Sequence, residues 1–167
     1  MKTDRITNHS HPYLEVRNSK IHGRGVYARR PIPSHTQIIE YTGEKITHAE
    51  SDRREALRLK KKSQGKASDI YQFELDDQWF IDGSKKGSIA RYINHSCEAN
   101  CTPRLCDNRI WFFSHRPIET GEELSIDYGF DFEVWQDNPC RCQTDSCIGF
   151  IVRKNIRWRV QKKLQLI

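Results

Sequence analysis

The sequence predicts a mostly β domain of the α+β class with few helices, and three observations lead there. Apolar and polar residues alternate in several short runs, such as Tyr71-Gln72-Phe73-Glu74-Leu75, which is the period of a half-buried strand. Turn-forming residues interrupt those runs at short intervals, as at Thr42-Gly43, Asp76-Asp77-Gln78 and Thr120-Gly121. Only the stretch from Thr47 to Leu59 combines a helix start signal with a run of strong helix formers. Strands that follow one another without intervening helices argue against a doubly wound parallel sheet.

Taken in order, Met1 to Pro12 is polar and is read as a flexible lead-in. Leu14-Glu15-Val16-Arg17 alternates and predicts a short strand, and the glycine-bearing turn Ile21-His22-Gly23-Arg24-Gly25 leads into a second through Val26-Tyr27-Ala28. Gln37 to Tyr41 is a third strand. Thr47-His48-Ala49-Glu50 has the capping-box pattern. The run behind it offers few apolar positions, so a solvated surface helix is expected through Leu59, broken by Ser63 to Ser68. Tyr71 to Leu75 and Trp79 to Ile81 form a hairpin across Asp76-Asp77-Gln78, and Ile110 to Phe113 and Glu123 to Tyr128 are the last strands. Beyond Asn138 the character changes. Pro139 to Cys147 is a compact cysteine segment, and Arg153 to Lys163 is basic with Ile156, Trp158 and Val160 interspersed, a C-terminal helix or arm.

The 167 residues, 36% hydrophobic and 30% charged, suit one globular domain with a core and a small appendage. Lys plus Arg number 28 against 22 Asp plus Glu, a net charge of +6. That surplus is compatible with an acidic partner such as nucleic acid, but it fits plain solubility better, because no single long basic run dominates. No run of apolar residues is long enough to span a bilayer, and Met1 to His11 lacks the apolar stretch of a secretory signal. An intracellular, reducing location with no membrane partner is expected, where six cysteines point to metal binding or free thiols rather than disulfides.

Cys140, Cys142 and Cys147 place three thiols in one short segment. Zinc favours thiolates and takes four tetrahedral ligands, so one more is required from Cys97, Cys101 or Cys106. A site closed by four thiolates has no open position and is structural. Elsewhere, Arg91-Tyr92-Ile93-Asn94-His95-Ser96-Cys97 sets polar residues directly behind an apolar approach, either a surface loop or a buried polar site satisfied by hydrogen bonds. In Leu124 to Tyr128, alternation puts Leu124, Ile126 and Tyr128 on one face and Ser125 and Asp127 on the other.

In order and separation these segments resemble the SET-domain protein lysine methyltransferases. His22 to Ala28 resembles the family's first motif, a glycine turn whose backbone meets S-adenosylmethionine. Glu40-Tyr41-Thr42-Gly43-Glu44 is similar to the element beside the lysine channel, Arg91 to Cys97 to the cofactor-binding motif, and Glu122 to Phe130 to the motif that carries the catalytic tyrosine. The cysteine segment is similar to the post-SET zinc motif, and no pre-SET cysteine array is visible. The resemblance implies a β-clip fold of short curved sheets with a pseudoknot-like C-terminal region and a small zinc-bound lid. It divides the chain into a lead-in (1–12), a SET domain (13–132), a post-SET zinc segment (133–152) and a basic arm (153–167).

For function, the resemblance implies in-line transfer of a methyl group from S-adenosylmethionine to a lysine ε-amine of a protein, with a basic tail such as a histone's as substrate. Tyr128 and Tyr41 would be catalytic; Tyr71, Phe73, Ile126 and Phe130 would line the substrate channel. Arg24, Gly25, Val26, Tyr71, Arg91, Asn94, His95, Tyr128 and Phe150 would surround the cofactor, and Cys97, Cys140, Cys142 and Cys147 would hold zinc. Many members carry Phe or Tyr two residues before the catalytic tyrosine; Ile126 there has no hydroxyl to hold a channel water, which favours di- or trimethylation. A compact stand-alone enzyme or part of a longer protein is expected, nuclear or chromatin-associated in a eukaryote and cytoplasmic in a bacterium. The alternatives are a catalytically silent SET module acting as a scaffold, and a zinc-stabilised nucleic-acid-binding protein that uses the basic arm.

Overall fold

Alternation becomes strand through the first half of the chain. A computed structural model describes residues 11–66 and 69–164, so residues 1–10 of the expected lead-in lie outside the described residues. Among the latter, short strands predominate and helices are few. β1 (Leu14–Asn18) and β2 (Arg24–Ala28) pair antiparallel, with Val16 opposite Val26. Gly23 turns the chain between them at φ 47°, a left-handed conformation that costs glycine little. β3 (Gln37–Tyr41) falls where expected. β4 (Glu44–Thr47) does not appear among the expected strands, because Ile46 is its only apolar residue; antiparallel pairing with a later strand makes it one.

α1 (His48–Ser63) starts at Thr47, whose hydroxyl accepts the Glu50 amide. Glu50 does not close the capping box. Its carboxylate is taken by Arg53 and Arg54, which also holds it down to about 2. The helix runs past Leu59 to Ser63 and is solvated as expected, with Leu57 and Leu59 exposed and Ser51 its one buried residue. Arg54 reaches from it to Glu44 and the buried Asp82, fastening the helix to the sheet beneath. That sheet is ordered β4-β6-β5, with β5 (Gln72–Glu74) and β6 (Trp79–Asp82) forming the expected hairpin.

A 3₁₀ turn (Ile89–Tyr92) precedes β7 (Asn94–His95). β8 (Cys101–Cys106) and β9 (Arg109–Ser114) form a hairpin over Asp107 and Asn108, both at positive φ, the turn whose twist suits a two-residue hairpin. β8 is absent from the sequence expectations because Pro103 argues against a strand. In the sheet order β3-β9-β8 it is an edge strand, where a missing amide is tolerated. β10 (Ser125–Ile126) is shorter than the expected Glu123–Tyr128 and pairs parallel with β7, Ser125 opposite Asn94 and Ile126 opposite His95. The two-face expectation fails here. Ser125 is buried alongside Leu124 and Ile126, while Tyr128 is 38% exposed, because the chain is covered on both sides at Ser125 and leaves the sheet after Ile126.

The main core gathers Val26, Ile39, Tyr41, Phe112, Ile118, Leu124 and Ile126, with Phe73, Trp79 and Ile81 of the β4-β6-β5 sheet packed against it. A smaller apolar cluster of Trp135, Val152 and Val160, flanked by Phe132, Ile148 and Phe150, is built by the last part of the chain. It draws in α2 (Arg157–Lys163) through Val160. The C-terminal segment is therefore a docked helix, not a free arm. Arg159, Lys162 and Lys163 remain exposed, but Arg157 is buried.

Asn100 joins these parts. It is 1% exposed; its Nδ2 donates to Glu122 Oε1 and to the Glu123 carbonyl, and its Oδ1 accepts the Ser125 amide. Asn100→Ala strands those groups and is expected to destabilise the fold by about 2–3 kcal/mol. The measurement is the urea midpoint, which should fall with the slope unchanged; an unmoved midpoint would refute the assignment.

Candidate active site

Two short strands organise the site. Because β7 and β10 lie parallel and adjacent, Asn94 and His95 come beside the segment that ends in Tyr128. Asn94 is buried, and its Nδ2 is shared among the carbonyls of His22 and Arg24 at 3.2 and 2.9 Å and Glu123 Oε1 at 2.8 Å. It thus holds the glycine turn down onto β7. Glu123 was not among the sequence-derived site residues, yet it also accepts the Ser19 and Tyr27 hydroxyls. Its only sequence signal is an acidic residue directly ahead of an apolar one. A Cβ at Gly25 would overlap Glu123 Oε1, so a side chain there would displace the carboxylate from the donors it gathers.

Arg24 and Arg91 both lie over the Tyr92 ring, their guanidinium carbons 4.8 Å from its centroid. Arg91 also donates to the Gly83 carbonyl and the Tyr92 hydroxyl. Tyr41, Phe73 and Phe112 form an aromatic triangle with centroids 5.4, 5.9 and 6.0 Å apart. The Tyr41 hydroxyl donates to the Tyr71 carbonyl, and the Tyr71 hydroxyl to Asp69. Tyr128 stands 5.5 Å from His95 and 5.8 Å from Phe130, ring to ring, with its hydroxyl donating to the Ile93 carbonyl at 3.1 Å. Desolvation pushes the phenols of Tyr41 and Tyr128 up, and with Asp69 beside it raises Tyr71 to about 12. All three are therefore neutral at physiological pH, available as hydrogen-bonding groups and not as phenolate bases.

The sulfurs of Cys97, Cys140, Cys142 and Cys147 all lie within 4.8 Å of one another, with Cys97 to Cys140 at 3.9 Å. Tetrahedral zinc–thiolate bonds require sulfurs about 3.8 Å apart, so the set fits such an ion. Of the three candidates for the fourth position, the fold brings Cys97. Cys101 is buried in the core, its thiol raised to about 12 by burial, and Cys106 ends β8. The Cys140 thiol, followed by His95 and Arg157, holds the Cys97 thiol well below its usual range. Backbone bonds from Cys140 to Gly149 and from Ile151 to Asn138 close the segment, and Phe150 packs edge-on against Trp135 at 4.6 Å.

The SET-domain profile matches residues 23–129. The chain belongs to the SET-domain family. Among curated proteins, histone-lysine N-methyltransferase trr of Drosophila melanogaster is 45% identical over 134 residues, covering 77% of this chain and 5% of that protein. The H3 lysine-4 specific histone-lysine N-methyltransferase of Aspergillus oryzae is 42% identical over 139 residues, 80% of this chain and 11% of that protein. The Kluyveromyces lactis protein of the same description is 36% identical over 157 residues, 90% of this chain and 15% of its own length. The chain therefore spans a small part of each relative. The SET match takes in the glycine turn, Tyr41, the Asn94–Cys97 segment and Tyr128; the cysteine segment lies beyond it.

Removing Glu123 tests what holds the SET glycine turn. Glu123→Ala removes the acceptor shared by the Ser19 and Tyr27 hydroxyls and one of the three acceptors of Asn94 Nδ2, and should cost about 2–3 kcal/mol while speeding amide hydrogen exchange across residues 22–25. Unchanged exchange there would show that the turn is fixed by other contacts.

Proposed function

We propose that this SET domain transfers the methyl group of S-adenosylmethionine to a lysine ε-amine in a protein, with the basic tail of a histone as substrate. The observation that carries the reading is the juxtaposition of the neutral Tyr128 hydroxyl, anchored on Ile93, with Asn94 and His95 and the pinned glycine turn. The relatives' names, which specify histone lysine, support the substrate class.

The residues present suit that methyl donor. The turn at Gly23 has open space beside it, and Asn94 fixes its backbone from below. Arg24, Gly25 and Val26 would offer backbone groups, Tyr71, Arg91, Asn94 and His95 would border the donor, and Phe150 would cover it. When bound, S-adenosylmethionine supplies an electrophilic methyl group on a sulfonium. The chain's own residues prepare the amine. A free lysine titrates near ~10.4, and an aromatic channel built on Tyr41, Tyr71, Phe73 and Phe130 would disfavour its ammonium form. Tyr128, with Tyr41 behind it, would orient the neutral amine through its hydroxyl, so alignment rather than a strong base provides the rate.

The cysteine cluster would hold one structural zinc ion. Four thiolates without a cation repel one another, so the ion would fold the segment that carries Phe150 and couple that lid to donor binding. Metal analysis should return one zinc per chain. Chelation should weaken S-adenosylmethionine binding by about tenfold or more; affinity unchanged by chelation would sink the coupling.

Transfer of labelled methyl to an array of basic-tail peptides tests the activity. Tyr128→Phe should lower kcat by about 100-fold. The products read by mass should be di- and trimethyl-lysine, since Ile126 is a buried aliphatic with no hydroxyl; monomethyl-lysine alone would overturn that part. A wild-type chain that neither binds the donor nor transfers the label would mark a SET scaffold. Association with chromatin in a eukaryotic host follows from a histone substrate; in a bacterial host the expected location is the cytoplasm. Among the described residues no helix is long and apolar enough to cross a membrane.

A further inference from the structure

We propose that Arg157, on the C-terminal helix, is a positioning residue for Tyr128: its guanidinium locks the segment bearing the catalytic tyrosine, the Asn94–Cys97 segment and the end of the post-SET segment at Val152 into one geometry. The inference rests on the methyltransferase reading. In the sequence Arg157 is one more cation of a basic stretch. In the fold it is 7% exposed, a rare state for arginine unless each donor is matched.

Its partners come from three separate segments. Nη1 donates to the Cys97 carbonyl at 2.9 Å, Nε to the Val152 carbonyl at 3.1 Å and Nη2 to Asp127 Oδ2 at 3.0 Å. The planar guanidinium fixes the angles between these bonds, which a lysine cannot do. Asp127 directly precedes Tyr128, and its Oδ1 accepts the amide of Gly129, which directly follows it. The carboxylate therefore brackets the tyrosine, and Arg157 fixes the carboxylate. Oδ2 also accepts the Lys154 amide, drawing in the start of the C-terminal helical segment.

A second link runs in parallel. The Tyr128 amide donates to His95 Nδ1 at 3.1 Å, which leaves the ring proton on Nε2, 3.7 Å from the Cys97 sulfur. Cys97 is thus joined to the Tyr128 backbone twice, through its sulfur by His95 and through its carbonyl by Arg157 and Asp127. The Asp127 carboxylate is half-buried, and a guanidinium–carboxylate pair of that kind gains little net stability. What the pair supplies is direction, and a displacement of the catalytic group by about 1 Å lowers rate by up to about 100-fold.

The test uses Arg157→Met in the full zinc-loaded chain. The variant should keep its zinc and its circular dichroism, lose kcat by about 10- to 100-fold, and leave KM for S-adenosylmethionine within about threefold, with faster hydrogen exchange at the Tyr128 and Gly129 amides. Arg157→Ala should recover part of its kcat when methylguanidinium is added. That cation has access because Arg157 lines a cleft of about 820 Å³ shared with Glu98, His115 and Arg116. Recovery should vanish in the Arg157→Ala, Asp127→Ala double variant. If Arg157→Met does not fold, Asp127→Asn carries the same kcat and exchange measurements. Full kcat with only a lowered Tm would overturn the proposal and leave Arg157 a packing residue. A wild-type chain without transfer activity would instead refute the methyltransferase reading.

Discussion

The parallel contact between β7 and β10 is two residues long, and the rest of the site depends on it. A pair that short cannot hold register by main-chain bonds alone. The register is set by polar side chains on either side: Asn94 against Glu123, Asn100 against the Ser125 amide, and His95 against the Tyr128 amide. Each belongs to a buried or half-buried group, so leaving any one unmade carries a desolvation cost that a slipped register could not recover. Among the described residues no buried side-chain polar atom lacks a partner. The site is over-determined by hydrogen bonds where its strands are too short to determine themselves.

This arrangement separates two kinds of work. The aromatic triangle of Tyr41, Phe73 and Phe112 belongs to the main core, and its burial contributes stability whatever the chemistry. Asn94, Glu123 and His95 contribute geometry, since their polar atoms pin the glycine turn and the tyrosine backbone. The same residues that make the fold continuous therefore also make the site rigid. This is why a SET chain can place a neutral phenol, a backbone turn and an aromatic wall together with so little regular secondary structure.

The last part of the chain is attached through a second apolar cluster and through the cysteines. Trp135, Val152 and Val160 bury too little by themselves to form a stable unit. Cys97 lies in the SET body while Cys140, Cys142 and Cys147 lie beyond it, so an ion held by the four would staple the small cluster to the large one. Arg157 reinforces the same joint with two backbone carbonyls and a single carboxylate. The C-terminal segment, the cysteine cluster and the segment bearing Tyr128 are thereby mechanically continuous.

Local residue patterns by themselves determined the β-rich class, the strands at Leu14, Gln37 and Trp79, the solvated helix after Thr47, and the motif segments that mark a SET domain. They could do so because alternation, caps and glycine turns act over a few adjacent residues. Tertiary structure alone decided the others. β4 is a strand because β6 pairs with it, β8 because an edge tolerates Pro103, and β10 ends at Ile126 because its partner does. Which cysteine joins the cluster, that Glu123 gathers three donors, and that Arg157 is buried in an otherwise basic helix were equally invisible along the chain. Period and propensity describe what a residue prefers in isolation; the burial of a charge or a thiol depends on which groups meet it, and those groups lie far away in sequence.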